Sequence, residues 1–144
     1  MTYFVDSSSL FKLFFTETGT ASMEALVLDS SNVFWTAQLT RIEFASTLMR
    51  RLRGGLITKK QMLLAETQFE LLWNTLLIIP FDLQFIPIAE NLIKTIGLKN
   101  NMRTLDALQL AAFQREAQPD WIFLTADTGF ANSIAFLGIK VQVT

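Results

Sequence analysis

The chain has 144 residues, 51% of them apolar, with a formal net charge of −1. That length and apolar content predict one domain over residues 1–144 with a real core, and exclude a disordered chain, which needs low hydrophobicity. With no cysteine and no histidine, disulfide frameworks, thiolate or imidazole zinc sites, Ser-His-Asp and Cys-His arrangements and an imidazole general base are all excluded, so any catalysis rests on carboxylates, hydroxyls, Lys, Arg or a bound metal.

In chain order, Thr2-Tyr3-Phe4-Val5 is a β-branched and aromatic run ending at Asp6, and predicts a strand. Ser7, Ser8 and Ser9 are helix-start residues, and Leu10, Phe11, Leu13, Phe14 and Phe15 supply the apolar side of a short helix. Phe14 and Phe15 are adjacent and cannot both face inward equally, so one is a candidate for a partner surface. Glu17 to Gly19 is a break, and Ala21 to Leu28 a second helix. Val33-Phe34-Trp35 predicts a second strand. Leu39 to Arg53 reads as a helix, with Leu39, Ile42, Phe44, Ala45, Leu48 and Leu52 at helical spacing and Gly54-Gly55 at its end.

Thr58 and Gln61 form a capping-box pattern for a helix running to about Leu72. Within it Met62, Leu63, Leu64 and Phe69 are candidates to line a groove for a dimer mate or another partner. Leu76 to Phe81 predicts a buried strand and Leu83 to Ile96 a helix, with Pro87 in its first turns and Gly97 at its end. Thr104 opens a helix through Phe113, broken by Pro119. Trp121 to Leu124 predicts a strand leading into Thr125-Ala126-Asp127, then a short helix to Gly138 and a last strand from Ile139 to Val143. Strands alternating with helices predict an α/β fold with a mostly parallel central sheet.

The amino terminus has no basic leading region, and Asp6 interrupts its apolar run, so it does not read as a signal peptide. The most apolar segment, Leu71 to Ala89, contains Asn74, Pro80, Asp82, Gln84 and Pro87, and so falls short of the ~20 apolar residues a membrane span needs. A soluble, cytoplasmic protein is expected.

Open parallel sheets bind ligands beyond the carboxyl ends of their strands. Asp6 and Asp127 fall there, while Glu43 and Asp106 sit near the starts of helices along the same edge. Each has an ordinary structural role open to it. Asp6 and Asp127 fit helix N-caps, Thr40 and Glu43 fit a capping box, and Asp106 fits a first-turn acid. Together, the four point into one cleft. Converging carboxylates need a compensating charge, and with no softer ligands available a hard Mg²⁺ or Mn²⁺ ion is the natural one. Such a site suits metal-assisted phosphodiester hydrolysis. Ser7, Ser8 and Thr125 are placed to orient a carboxylate or a water beside it. Arg41, Arg50, Arg51, Arg53, Lys59 and Lys60 share one stretch with Glu43 as its only acid, and a local basic face can bind phosphates despite a net charge near zero.

Four segments carry a resemblance. Phe4-Val5-Asp6-Ser7-Ser8-Ser9-Leu10-Phe11-Lys12-Leu13, Leu39-Thr40-Arg41-Ile42-Glu43-Phe44-Ala45, Arg103-Thr104-Leu105-Asp106-Ala107-Leu108-Gln109-Leu110-Ala111 and Leu124-Thr125-Ala126-Asp127 with Phe130 and Ala131 resemble, in order, the acidic motifs of PIN-domain proteins. The likeness is strongest to VapC-type toxins of toxin–antitoxin pairs, and it spans essentially the whole chain. It implies a three-layer α/β/α sandwich and a Mg²⁺- or Mn²⁺-dependent endoribonuclease acting on tRNA, rRNA or mRNA. It implies that Asp6, Glu43, Asp106 and Asp127 form the metal site, with Ser7 or Ser8 and Thr125 nearby. It also implies a homodimer and a cognate antitoxin whose tail occupies the groove. Arg41, Arg50, Arg51 and Arg53 are then candidates to meet RNA phosphates or the antitoxin. One departure is Gln109, where such proteins often carry His.

Three other classes are weighed against this. A non-catalytic PIN-like module binding RNA or protein would share the fold and need no metal. An aspartyl-nucleophile phosphotransferase would usually carry a second Asp at the position of Ser8. A nucleotide-binding protein would need a glycine-rich phosphate loop, and neither usual pattern occurs.

Overall fold

The computed structural model describes residues 1–144. Five strands, β1 (Thr2–Val5), β2 (Val33–Ala37), β3 (Leu77–Ile79), β4 (Ile122–Thr125) and β5 (Val141–Val143), form one sheet in the order β3-β2-β1-β4-β5. Every pairing is parallel. Seven helices connect them: α1 (Ser7–Phe11), α2 (Thr20–Leu28), α3 (Leu39–Arg53), α4 (Lys59–Trp73), α5 (Phe85–Ile96), α6 (Thr104–Glu116) and α7 (Thr128–Phe136).

The period of two along β1 divides the core. Phe4 points to one face, where α5, α6 and α7 contribute Phe85, Leu92, Leu110, Phe113, Phe130 and Ile134. Tyr3 and Val5 point to the other, onto Leu10 of α1 and Met23 of α2. β4 repeats the pattern, with Phe123 on the first face and Leu124 on the second. The result is the three-layer α/β/α sandwich expected from the sequence, with both faces of the parallel sheet covered. Phe4 and Phe123 are fully buried, and truncating either to Ala removes a ring worth about 3–5 kcal/mol of stability. A separate aromatic cluster of Phe11, Phe44 and Phe69 ties α1, α3 and α4 together.

The element boundaries depart from the sequence expectations for local reasons. α1 stops at Phe11. The amides of Leu13 and Phe14 then bond three residues back, to Leu10 and Phe11. The tighter turn lets both neighbouring rings pack, Phe14 against Phe44 and Phe15 against Phe11. Both rings are half-buried, so neither stands out as the one turned to a partner. β3 ends at Ile79 rather than Phe81, because Pro80 has no amide hydrogen to donate and the Phe81 amide turns to Gln38 Oε1 at 2.9 Å. α5 begins at Phe85, after Asp82 has caught the Gln84 amide at 2.8 Å. In α4, Met62 and Phe69 are buried in the aromatic cluster, and only Leu63 and Leu64 of the proposed groove residues stay exposed.

The sheet order fixes where a site can form. From β1 the chain runs outward through β2 to β3, then crosses back to place β4 and β5 on the other side of β1. The reversal leaves a crevice beyond the carboxyl ends of β1 and β4.

Candidate functional site

Asp6 and Asp127 both stand at that crevice. Asp6 directly follows β1, and its amide donates to Leu124 O of β4 at 3.1 Å. Asp127 follows β4 by one residue and opens α7. Both are helix N-caps, Asp6 Oδ1 accepting from the Ser9 amide and Asp127 Oδ1 from the Phe130 amide, each at 2.9 Å. The capping role and the cleft position coexist, because a cap uses one oxygen and leaves the other for a second partner, Thr125 Oγ1 for Asp6 and Arg103 for Asp127.

Glu43 and Asp106 enter from the flanking helices. Asp106 lies in the first turn of α6, where the helix dipole favours an acid. Glu43 lies in α3, whose Thr40, Phe44 and Leu48 are buried. The expected Thr40–Glu43 capping box is not formed: α3 starts after Gln38 with no side-chain cap, and Thr40 is instead buried beneath the cleft. All four acids line one open cleft of about 510 Å³, together with Ser7, Ser8, Gln109, Arg50, Arg51 and Arg103.

The environments of the four differ sharply. Asp6 is 5% exposed. It accepts from Ser8 Oγ and Thr125 Oγ1, each at 2.7 Å, in addition to the Ser9 amide. Burial outweighs these bonds and, helped by the neighbouring Asp106 charge, pushes its pKa up to about 6. Glu43 is also raised. Burial is the main cause and the charges of Asp6 and Asp106 add to it, while hydrogen bonds from Gln109 and Ser7 pull the other way. Ser8 and Thr125 thus sit where the sequence places them, and Ser8 Oγ also accepts the Ala126 amide at 2.9 Å, tying the β1 and β4 ends together.

Asp106 and Asp127 are instead joined by a cation. Arg103 holds Asp106 through a two-pronged contact, Nε to Oδ2 at 2.7 Å and Nη2 to Oδ1 at 3.2 Å, and reaches Asp127 Oδ2 at 3.0 Å. In this arrangement no three acidic side chains are drawn close enough to ligate one ion. The donor chemistry nevertheless fits a hard divalent cation: four carboxylates, hydroxyls of Ser7 and Ser8, and no soft ligand.

Two residues had no functional role assigned from sequence. Arg103 is one; its spacing of three from Asp106 on a helix start is the only signal that pairs them. Gln109 is the other. It is 2% exposed. Its Nε2 donates to Thr40 Oγ1 at 2.8 Å and to Glu43 Oε2, and its Oε1 has no partner. The amide thus gives both protons toward Glu43 and its support, at the cost of a buried acceptor left unsatisfied.

The basic stretch divides. Arg50 and Arg51 line the cleft. Arg41 is turned away, ion-paired with Glu70 and lying over Phe69 and Trp73. Arg53 does not line the cleft either. Lys12, buried against Thr18 O, completes the basic side.

Comparison with known proteins places this geometry. A sequence model described as the PIN domain matches residues 3–133. The chain belongs to the PIN-domain family. Among solved structures, it is similar to VapC20 from Mycobacterium tuberculosis, a Sarcin-Ricin loop cleaving toxin. That match has a TM-score of 0.67 and 15% identity, over 95% of this chain and 95% of that one. It is similar to VapBC2 from Rickettsia felis bound to a promoter DNA fragment (TM-score 0.66, 14% identity, 100% and 99% covered). It is also similar to FitAcB from Neisseria gonorrhoeae (TM-score 0.62, 17% identity, 96% and 95% covered). At these identities the likeness speaks to the fold, here shared over the full length of each chain. No curated protein sequence is similar enough to this chain to count as a match. No helix of this PIN domain is long and apolar enough to cross a membrane.

Proposed function

We propose that this PIN-family chain, a single domain over residues 1–144, is a Mg²⁺- or Mn²⁺-dependent endoribonuclease and the toxin of a toxin–antitoxin pair acting in the cytoplasm. The observation that carries the reading is the meeting of Asp6, Glu43, Asp106 and Asp127 in one cleft at the reversal point of a PIN-domain sheet. Asp6 and Asp106 would hold the principal cation, with Asp127 and Glu43 completing the site directly or through water. When bound, the cation would stabilise charge on a scissile phosphate and acidify an attacking water.

The chain's own side chains have separable roles in this reading. Ser8 and Thr125 fix the Asp6 carboxylate through its two oxygens. Gln109 orients Glu43 and favours its ionised form. Arg50 and Arg51, lining the same cleft as the carboxylates, offer positive charge to a tRNA, rRNA or mRNA backbone, or to the acidic groups of an antitoxin. VapBC complexes among the structural neighbours support an antitoxin partner, and a homodimer of this chain is part of the same proposal.

The test is cleavage of total cellular RNA by the purified, antitoxin-free protein with Mg²⁺, Mn²⁺ or EDTA, beside Asp6→Asn. Cleavage that needs the cation and disappears in the variant is the expected result. A second reading, a non-catalytic PIN-like module that binds RNA or protein, draws support from Arg103, which already ion-pairs with both Asp106 and Asp127. Absence of both cleavage and cation binding by the folded protein would favour that module.

A further inference from the structure

Arg103 sits one residue ahead of α6, on extended backbone, and makes no capping bond of its own. A side chain at such a position is usually free to project into solvent. This one folds back over the cleft mouth instead. Its own side chain is 64% exposed, whereas that of Asp106 beneath it is 13% exposed. The guanidinium therefore lies on the solvent side of Asp106 and covers it, while Asp127 keeps 38% of its side chain exposed.

The contacts engage each oxygen of these two acids once. Both oxygens of Asp106 accept from Arg103. Asp127 gives Oδ2 to Arg103 and Oδ1 to the Phe130 amide that starts α7. A divalent cation would bind the same carboxylate oxygens, and two positive groups at contact distance on them repel each other. Arg103 also feels the Glu43 charge, so its field spans three of the four acids. Asp6 and Glu43 are not bonded to it; they rely on hydroxyls and the Gln109 amide.

We propose that Arg103 is an internal counter-ion of the cleft, competing with the divalent cation for Asp106 and Asp127 and so setting how tightly that cation binds. The inference rests on the metal-dependent reading above. It explains how four acids stay folded at one edge without a cation: a guanidinium shared by the outer two offsets part of their charge, while burial raises the proton affinity of the inner two. It also makes cation binding an exchange of one positive group for another. The exchange costs the bidentate Arg103 contact, which is charge-assisted but largely solvent-exposed.

The experiment is a Mn²⁺ titration of the full chain without RNA, followed by the loss of the free-ion paramagnetic resonance signal. Wild type is compared with Arg103→Ala and Arg103→Lys at fixed ionic strength. Arg103→Ala should bind Mn²⁺ about tenfold more tightly. Arg103→Lys, which keeps the charge without the two-pronged geometry, should fall between. A parallel titration of wild type with Mg²⁺, read on the Arg103 side-chain Nε–H resonance, should move that signal in step with binding, and it needs no variant to fold. Unchanged or weaker Mn²⁺ binding in Arg103→Ala, or an Arg103 resonance unmoved at saturating Mg²⁺, would overturn the inference while leaving the metal-dependent reading intact. No ion bound by any of the three proteins would overturn both.

Discussion

Asp6 and Glu43 are sunk at the back of the cleft and lean on hydroxyls and an amide, whereas Asp106 and Asp127 stand nearer its mouth and lean on a guanidinium. The residue chemistry is nearly the same in the two pairs, and the groups that meet their charge are not. Neutral donors stabilise a buried carboxylate only in part, so desolvation wins and the inner pair is pushed toward the protonated form. A full opposite charge meets the outer pair at hydrogen-bond distance. The inner pair thus supplies the charge that most lacks a counter-ion, and the outer pair the charge that is already answered.

If that contrast is real, removing an inner acid should hurt the proposed nuclease most. Asp6→Asn is expected to lower RNA cleavage by about 10²-fold or more, the scale of losing one electrostatic stabiliser of a transition state. Asp127→Asn, at the exposed end, should cost several-fold less. Single-turnover cleavage rates at saturating Mn²⁺ would rank the two. Equal losses would mean that the inner and outer acids act as one unit.

The stability consequence runs in the opposite direction to activity. A carboxyl with its folded pKa near 6, above the ordinary 3.8, takes up protons on folding between those values. Its contribution is therefore most favourable below about pH 4 and is lost as pH rises through 6. At pH 7 the metal-free protein carries the full cost of an ionised Asp6, about 3 kcal/mol from the size of that displacement. Asn at this position keeps an acceptor for the Ser9 amide and removes the charge. Asp6→Asn should then stabilise the metal-free fold by about 1–3 kcal/mol at pH 7, with the gain vanishing near pH 4. Chemical denaturation at both pH values in EDTA gives the answer, and a variant less stable at pH 7 would show that the Thr125 and Ser8 bonds outweigh desolvation.

Much of this contrast was not readable from the chain alone. The strand-end positions of Asp6 and Asp127 were, because short apolar runs ending in an acid mark the carboxyl edge of a parallel sheet. The face of α3 was readable too. Arg50 is seven residues from Glu43, within about 20° of it around a helix, whereas Arg41 is nine residues from Arg50, about 180° away. That periodicity separates Arg50 from Arg41, although the four arginines were first treated as one basic stretch. The Arg103 bridge to Asp127 spans 24 positions and exists only once β4 lies beside β1. The burial of Gln109 was similarly hidden, since a polar residue three after Asp106 looks like ordinary helix surface until α3 packs across it.

Gln109 offers a sharper cut than Asp6, because it acts on Glu43 without being an acid itself. Gln109→Leu removes the donor to Glu43 and Thr40 together with the unsatisfied Oε1. These effects oppose each other in stability, and the net change should be within about 1 kcal/mol. Glu43, having lost the bond that favours its ionised form, should titrate higher still. The expected result is cleavage lowered about tenfold at pH 7, with the acidic limb of the rate profile moved to higher pH and activity partly recovered at pH 8.5. A uniform loss at every pH would reassign Gln109 to packing.

The smallest expected effect lies farther along α3, on the cleft arginines. Arg50 bonds only Thr47, at 3.2 Å, and has no acidic partner. Arg51 is held by Glu17 and lies over the Phe11 and Phe15 rings. Arg50 is therefore the guanidinium most free to meet a phosphate. Replacing it with Gln should weaken RNA binding severalfold and flatten the log–log dependence of affinity on salt by about 0.7, the value for one phosphate contact on a single strand. Arg53→Gln, on the same helix but outside the cleft, is the matched control and should leave the slope unchanged. If both substitutions flatten it equally, the RNA is following the helix as a whole. In that case the contrast between the cleft acids and one free arginine beside them does not describe how substrate is held.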